Sequence, residues 1–104
     1  MTEGNIRVRA RIRLLPTAES GRTVPIQGSY RPNHNFFDRD NREMAMGFIN
    51  FAEGELLLPG ESADVELTFW SWPRLAGEVY PGREWLIQEG PTVVGVGTVL
   101  EVIA

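Results

Sequence analysis

The sequence predicts an all-β fold, a closed barrel or a sandwich. Three observations predict it. Residues 6–14 alternate strictly between apolar and basic side chains, and residues 63–70 alternate again. That period belongs to a strand with one buried and one wet face. Seven prolines and eleven glycines cut the 104 residues at short intervals, so about six or seven short strands fit and no convincing helix does. Short strands at such spacing close on themselves or stack as two sheets.

The elements follow in order. Ile6, Val8, Ala10, Ile12 and Leu14 point one way; Arg7, Arg9, Arg11 and Arg13 point the other. Pro16 stops this strand, and Thr17 to Thr23 reads as a polar loop around Gly21. Val24 to Gln27 is a short strand, and Gly28 to Pro32 is irregular. Asn33 to Arg39 reads as a short polar strand, followed by a turn over Asp40 to Arg42. Glu43 to Phe51 alternates less cleanly, with Met44, Met46 and Phe48 on one face. Ala52 to Leu58 leads into the tight-turn dipeptide Pro59-Gly60.

Ser62 to Trp72 is the second strong strand. Ala63, Val65, Leu67 and Phe69 share its apolar face, and Asp64, Glu66, Thr68, Trp70 and Trp72 share the other. Pro73 to Gly82 is a loop. Arg83 to Gln88 and Thr92 to Ile103 are strands joined by Glu89-Gly90-Pro91. Gly95 and Gly97 inside the last strand suggest a bulge or a close backbone approach. The expected core is Ile6, Val8, Ile12, Leu14, Val65, Leu67, Phe69, Trp85, Ile87, Val94 and Val99.

Composition narrows the function. The length fits one domain over residues 1–104. With no cysteine, disulfides, thiolate zinc sites and thiol nucleophiles are excluded. No run of about 18 apolar residues is present, and the N-terminal residues lack the apolar centre of a secretory signal. A cytoplasmic protein with no membrane partner is expected. The net charge is −4, but residues 1–42 carry +4 and the remainder −8. All ten basic residues are arginine. Such asymmetry can mark a basic binding face on an acidic body, and arginine suits phosphate and carboxylate recognition.

Three segments together carry a resemblance. Gly21-Arg22-Thr23 followed by Tyr30-Arg31-Pro32 is similar to GGRHT…GYRP, and Leu58-Pro59-Gly60-Glu61 is similar to MPGD. GREWLIQEGPTVVGVGTVLEV, residues 82–102, is similar to GLRFAIREGGRTVGAGVV and the strand after it. In this order and spacing they resemble the C-terminal β-barrel domain of bacterial elongation factor Tu, over nearly the whole chain. The resemblance implies a single closed six-stranded antiparallel barrel. It also implies surfaces that clamp the T-stem of aminoacyl-tRNA, pack on a GTPase domain and meet an exchange factor. On that basis Glu89 and Gly90 occupy the RNA-side turn. Arg22 precedes the family's RNA-contacting histidine, which is Thr23 here. The departures are Gln88 for the family's arginine, Pro91 for its second glycine, Asn33 after YRP, and a longer 73–82 loop. No GxxxxGK[ST] loop occurs, so neither nucleotide binding nor an elongation factor's own activity is expected of these residues by themselves.

The residues offer few catalytic candidates. His34 with Asp38 and Asp40 is too thin a set for a metal. Ser62 and Ser71 lack a nucleophile-elbow context, and Gly95-Val96-Gly97 lacks the third glycine and the helix of a dinucleotide fingerprint. No cofactor, metal or catalytic residue is expected, and the protein is read as a non-enzyme.

The binding candidates are two. One is Arg22, Arg31, Glu89 and Gly90 with the stripe Arg7, Arg9, Arg11 and Arg13, which could track phosphates or meet an acidic surface. Alternatively the stripe is a wet face that pairs with acids such as Asp64 and Glu66 across strands. The other is Trp70 with Trp72, on the polar side of their strand. They anchor a partner if exposed, or belong to the core if the 73–82 loop covers them. The expected function is a stand-alone, non-catalytic binding module. A protein partner ranks first, tRNA-like or other RNA second, and an immunity-type or orphan mimic of the elongation factor third. Oligomeric state is left open.

Overall fold

A computed structural model describes residues 5–36, 44–70, 75 and 77–103. The strands are β1 (Asn5–Leu14), β2 (Ile26–Gln27), β3 (Ser29–Tyr30), β4 (Asn33–Asn35) and β5 (Ala45–Asn50), then β6 (Leu56–Leu57), β7 (Ser62–Trp70), β8 (Glu84–Glu89) and β9 (Thr92–Val102). One short helical turn, α1 (Thr17–Ser20), follows β1 where the sequence suggested only a loop. Pro16 and Gly21 bracket it; the Gly21 amide donates to the Thr17 carbonyl and closes the turn. With the Glu19 and Ser20 amides donating to the Pro16 carbonyl, backbone bonds hold α1 without an apolar face, and no residue of it is buried.

The main sheet closes on itself. Its order is β3-β5-β4-β8-β9-β1-β7, and β7 returns to β5. β3 and β4 both lie along β5, Tyr30 opposite Ile49 and Asn33 opposite Met46. They are two pieces of one strand interrupted at Arg31-Pro32, where proline has no amide to donate. Six strands therefore make a closed antiparallel barrel. β2 and β6 pair separately, Ile26 opposite Leu57.

β1 explains why the barrel closes where it does. It pairs along both edges, Asn5 to Arg13 with β7 and Val8 to Leu14 with β9. Val8, Ala10, Ile12 and Leu14 are buried, and their arginine neighbours are on the outer wall. Leu67 and Phe69 from β7, Trp85 and Ile87 from β8, and Val94 and Val99 from β9 complete the inside. Burial of each such side chain contributes roughly 1.5–3 kcal/mol. Ile6 and Val65, also expected in the core, sit half-buried at its margin.

The core is larger than the alternating strands predict. Ile26, Phe36, Ala45, Ile49, Leu57, Leu75 and Val79 are buried in it as well. In β5 the inward residues are Ala45, Gly47 and Ile49, so Met46 faces out. The polar β4 is not a wet strand, because His34 and Asn35 are both buried.

The last strand has the irregularities its glycines suggest. Ile87 pairs with Gly95 but Gln88 pairs with Val93, so Val94 bulges. At Gly97 an added Cβ would lie 2.4 Å from the Trp85 ring, so the indole packs directly on bare backbone. The β8–β9 connection is two residues, Gly90-Pro91, with a positive φ at Gly90 alone. That matches a type II′ hairpin, in which the second position has negative φ. Pro91 therefore fits where the resembled family has glycine. No helix among the described residues is long and apolar enough to cross a membrane.

Candidate functional site

The barrel gathers the separate sequence blocks at one end. The 21–25 segment carries Arg22, β3 carries Tyr30, and the β8–β9 hairpin carries Glu89 and Gly90. Arg22 Nη1 forms an ion pair with Glu89 Oε2, and the Tyr30 hydroxyl donates to the same oxygen. The Arg22 guanidinium lies 5.4 Å over the Tyr30 ring. Its Nε donates to the Val24 carbonyl at 3.0 Å and its Nη2 to that of Pro25 at 3.4 Å. Burial, then the bond to the Glu89 carboxylate, holds the Tyr30 hydroxyl well above its usual titration range.

This cluster shapes a turn more than it offers a free charge. The Arg22 side chain is only 17% exposed, and its donors are committed within the protein. Gln88 supports the same turn from below. It is buried, accepts from Asn35 Nδ2 at 2.9 Å and donates to the Gly90 carbonyl at 3.3 Å. The family's arginine at this position is thus replaced by a neutral brace. Tyr30 and Gln88 belong to the site although neither was singled out for it. Their place follows only from β3 and β4 lying beside β5 and β8.

Arg31 turns the other way. It lines a groove with Pro32, Asn33, Met46, Gly47, Phe48 and Trp70. The groove holds about 120 Å³. Met46 is 55% exposed and Trp70 49% exposed. The Arg31 guanidinium lies 5.6 Å over the Phe48 ring and makes no ion pair with any described residue. So Arg31 and Trp70, distant in sequence, are joined by β5 pairing with β4 and β7. Trp72 lies outside the described residues, as do Asp38 and Asp40.

The arginine stripe stands on the outer wall of β1, largely neutralised. Arg7 pairs with Glu66 at 2.8 Å, Arg9 with Glu101 at 2.9 Å and Arg11 with Asp64 at 2.9 Å. The hydrogen bond from Arg11 holds the Asp64 carboxyl below its ordinary range. These are the cross-strand pairs of a wet face: Asp64 of β7 and Glu101 of β9 stand directly opposite Arg11 and Arg9, and Glu66, opposite Arg9, reaches diagonally to Arg7. Arg13, opposite Ser62 and Val96, has no acid across from it on either neighbouring strand.

His34 is a core residue. It is fully buried, with Phe69 edge-on at 4.9 Å. The Trp85 indole N–H donates to His34 Nδ1 at 3.0 Å, so Nδ1 carries no proton. Nε2 then carries it and donates to the Gly47 carbonyl at 3.3 Å. Both ring nitrogens are committed, which leaves no lone pair for a metal. Among the described residues no group of three or more His, Cys, Asp or Glu is placed to hold one.

The class the fold defines is a closed six-stranded antiparallel β-barrel domain, with Arg22, Tyr30 and Glu89 gathered at one end. More particularly, the chain resembles the C-terminal barrel domain of elongation factor Tu. It is 31% identical over 96 residues to Elongation factor Tu 2 of Streptomyces avermitilis. The alignment takes in 92% of this chain and 23% of that protein, so the chain spans about a quarter of the length of this relative. No family model matches the chain.

Proposed function

We propose that this domain is a non-catalytic binding module of the cytoplasm whose partner is a protein. The observation that carries the reading is the distribution of free and spent groups. Arg7, Arg9, Arg11 and Arg22, four of the six arginines offered for phosphates, are held in ion pairs. Meanwhile Trp70 and Met46 place apolar area in solvent around one cation, Arg31. Tryptophan and arginine are the side chains that anchor protein interfaces, and such anchors contribute about 2 kcal/mol or more each by truncation.

The test pairs stability with capture. Trp70→Ala leaves the melting temperature within about 2 °C of the parent, since half the ring is already in water, and abolishes nuclease-resistant protein capture from lysate. A loss of about 3–5 kcal/mol would make Trp70 a core residue and end the reading. The second reading, RNA, rests on the resemblance, which implies an RNA-side turn at Glu89 and Gly90, where Arg22 and Tyr30 gather. Tight binding of an RNA hairpin, weakened by Arg22→Ala with Arg31→Ala, would favour it over a protein.

A further inference from the structure

We infer that the groove between β4, β5 and β7 takes an acidic linear peptide that inserts one apolar side chain beside Trp70 and pairs a carboxylate with Arg31. The inference rests on the protein-binding reading and names the chemistry of the partner.

Size comes first. Small-molecule sites hold about 300–1,000 Å³, whereas an apolar cavity of about 150 Å³ accepts a benzene ring. At about 120 Å³ this groove suits a single side chain. A nucleoside or a folded ligand does not enter it; one Leu or Phe of an extended segment does. Met46 and Phe48 provide the wall, and unbranched Met46 can shift to fit the entering group.

Charge comes second. The chain is acidic, yet among the described residues no Asp or Glu lines the groove. Among the described residues its one ionic group is Arg31, whose guanidinium is stacked over Phe48 with no described carboxylate to meet it. Stacking holds the planar fork in place while leaving its N–H edges for a bidentate carboxylate. An acidic segment finds here a cation that no described carboxylate holds, whereas a basic segment meets Arg31 with like charge. Charge thus selects both the partner and the place.

The experiment is a 12-residue random peptide display library panned on the whole chain, with counter-selection on Trp70→Ala. Enriched clones carry Asp or Glu within a few residues of a Leu, Phe or Trp. Synthetic copies bind the parent at least tenfold tighter than Arg31→Ala, and the difference narrows at high salt. Circular dichroism and melting curves of both variants match the parent. In amide NMR the shifted signals are those of Gly47, Phe48 and Trp70. Clones without acidic bias, equal affinity for Arg31→Ala, or shifts confined to another face would each overturn the inference. In those cases peptide binding persists, so the protein-binding reading stands. If no clone enriches while a labelled RNA hairpin binds, that reading falls together with the inference.

Discussion

At the scale of single residues, His34 shows how little a side chain's type reveals. As the sole histidine near two acids it invites a metal reading, yet it is the most enclosed polar group of the barrel. Its partners are a tryptophan 51 residues away and a carbonyl 13 residues away, invisible before the strands are paired. Burial, only partly opposed by the bond to Gly47, lowers its titration to about 4. The unfolded chain takes up a proton near pH 6.5 that the folded protein refuses until about pH 4. Stability is therefore complete above pH 6.5 and falls as pH drops through this window. Between pH 6.5 and 5 the loss is about 2 kcal/mol, readable as a falling urea midpoint. His34→Phe destabilises at pH 7.5, since the Trp85 N–H loses its acceptor, but flattens the slope between those two pH values. An unchanged slope would assign the pH dependence to other groups. Gly97 gives a second residue-scale expectation. Gly97→Ala drives a Cβ into the Trp85 ring and costs about 1–3 kcal/mol, with a changed near-ultraviolet tryptophan signal.

At the scale of elements, legibility followed alternation. β1 and β7 are readable because every other residue is apolar and the intervening ones are charged. Nine of the eleven residues expected in the core are buried, and the other two pack against it. β5 was not readable in the same way. Its outward Met46 is more hydrophobic than the inward Gly47, and space beside Phe69 and the Thr68 carbonyl decides the matter. β4 was readable as a short polar strand but its burial was not: its buried polar residues are satisfied by β8 and β5, so burial there leaves no apolar trace in sequence. The short α1 has no periodicity to read at all. These differences predict a contrast within β1. Ile12→Ala, inside the barrel, costs about 2–5 kcal/mol by chemical denaturation. Arg9→Gln, three residues away on the wet wall, costs less than about 1 kcal/mol, because exposed pairs contribute little. Comparable losses at both positions would mean that the outer wall is itself packed against something.

At the scale of the whole molecule, closing the barrel turns a charged sequence pattern into a nearly neutral surface. Read along the chain, four arginines in one strand look like a phosphate track. Closure sets Glu66 and Asp64 of β7 on one side of that strand and Glu101 of β9 on the other, from positions up to 92 residues distant. Sequence alone offered both outcomes, because which strands flank β1 is a property of the closed sheet. The consequence is measurable. Each phosphate neutralised by a protein cation steepens the fall of affinity with salt by about 0.7–0.9 in the logarithmic slope. A cation already held by a carboxylate releases no counterion on meeting RNA. Replacing Arg7, Arg9 and Arg11 together by Gln therefore leaves the salt slope for a labelled RNA hairpin unchanged between about 50 and 200 mM. Arg31→Ala, which removes a cation not paired with any described residue, lowers it by about one unit if RNA reaches the groove. A drop of two to three units in the triple variant would show that the ion pairs open on binding. The outer wall of β1 would then be the RNA surface, and the groove at Trp70 would lose its place as the principal site.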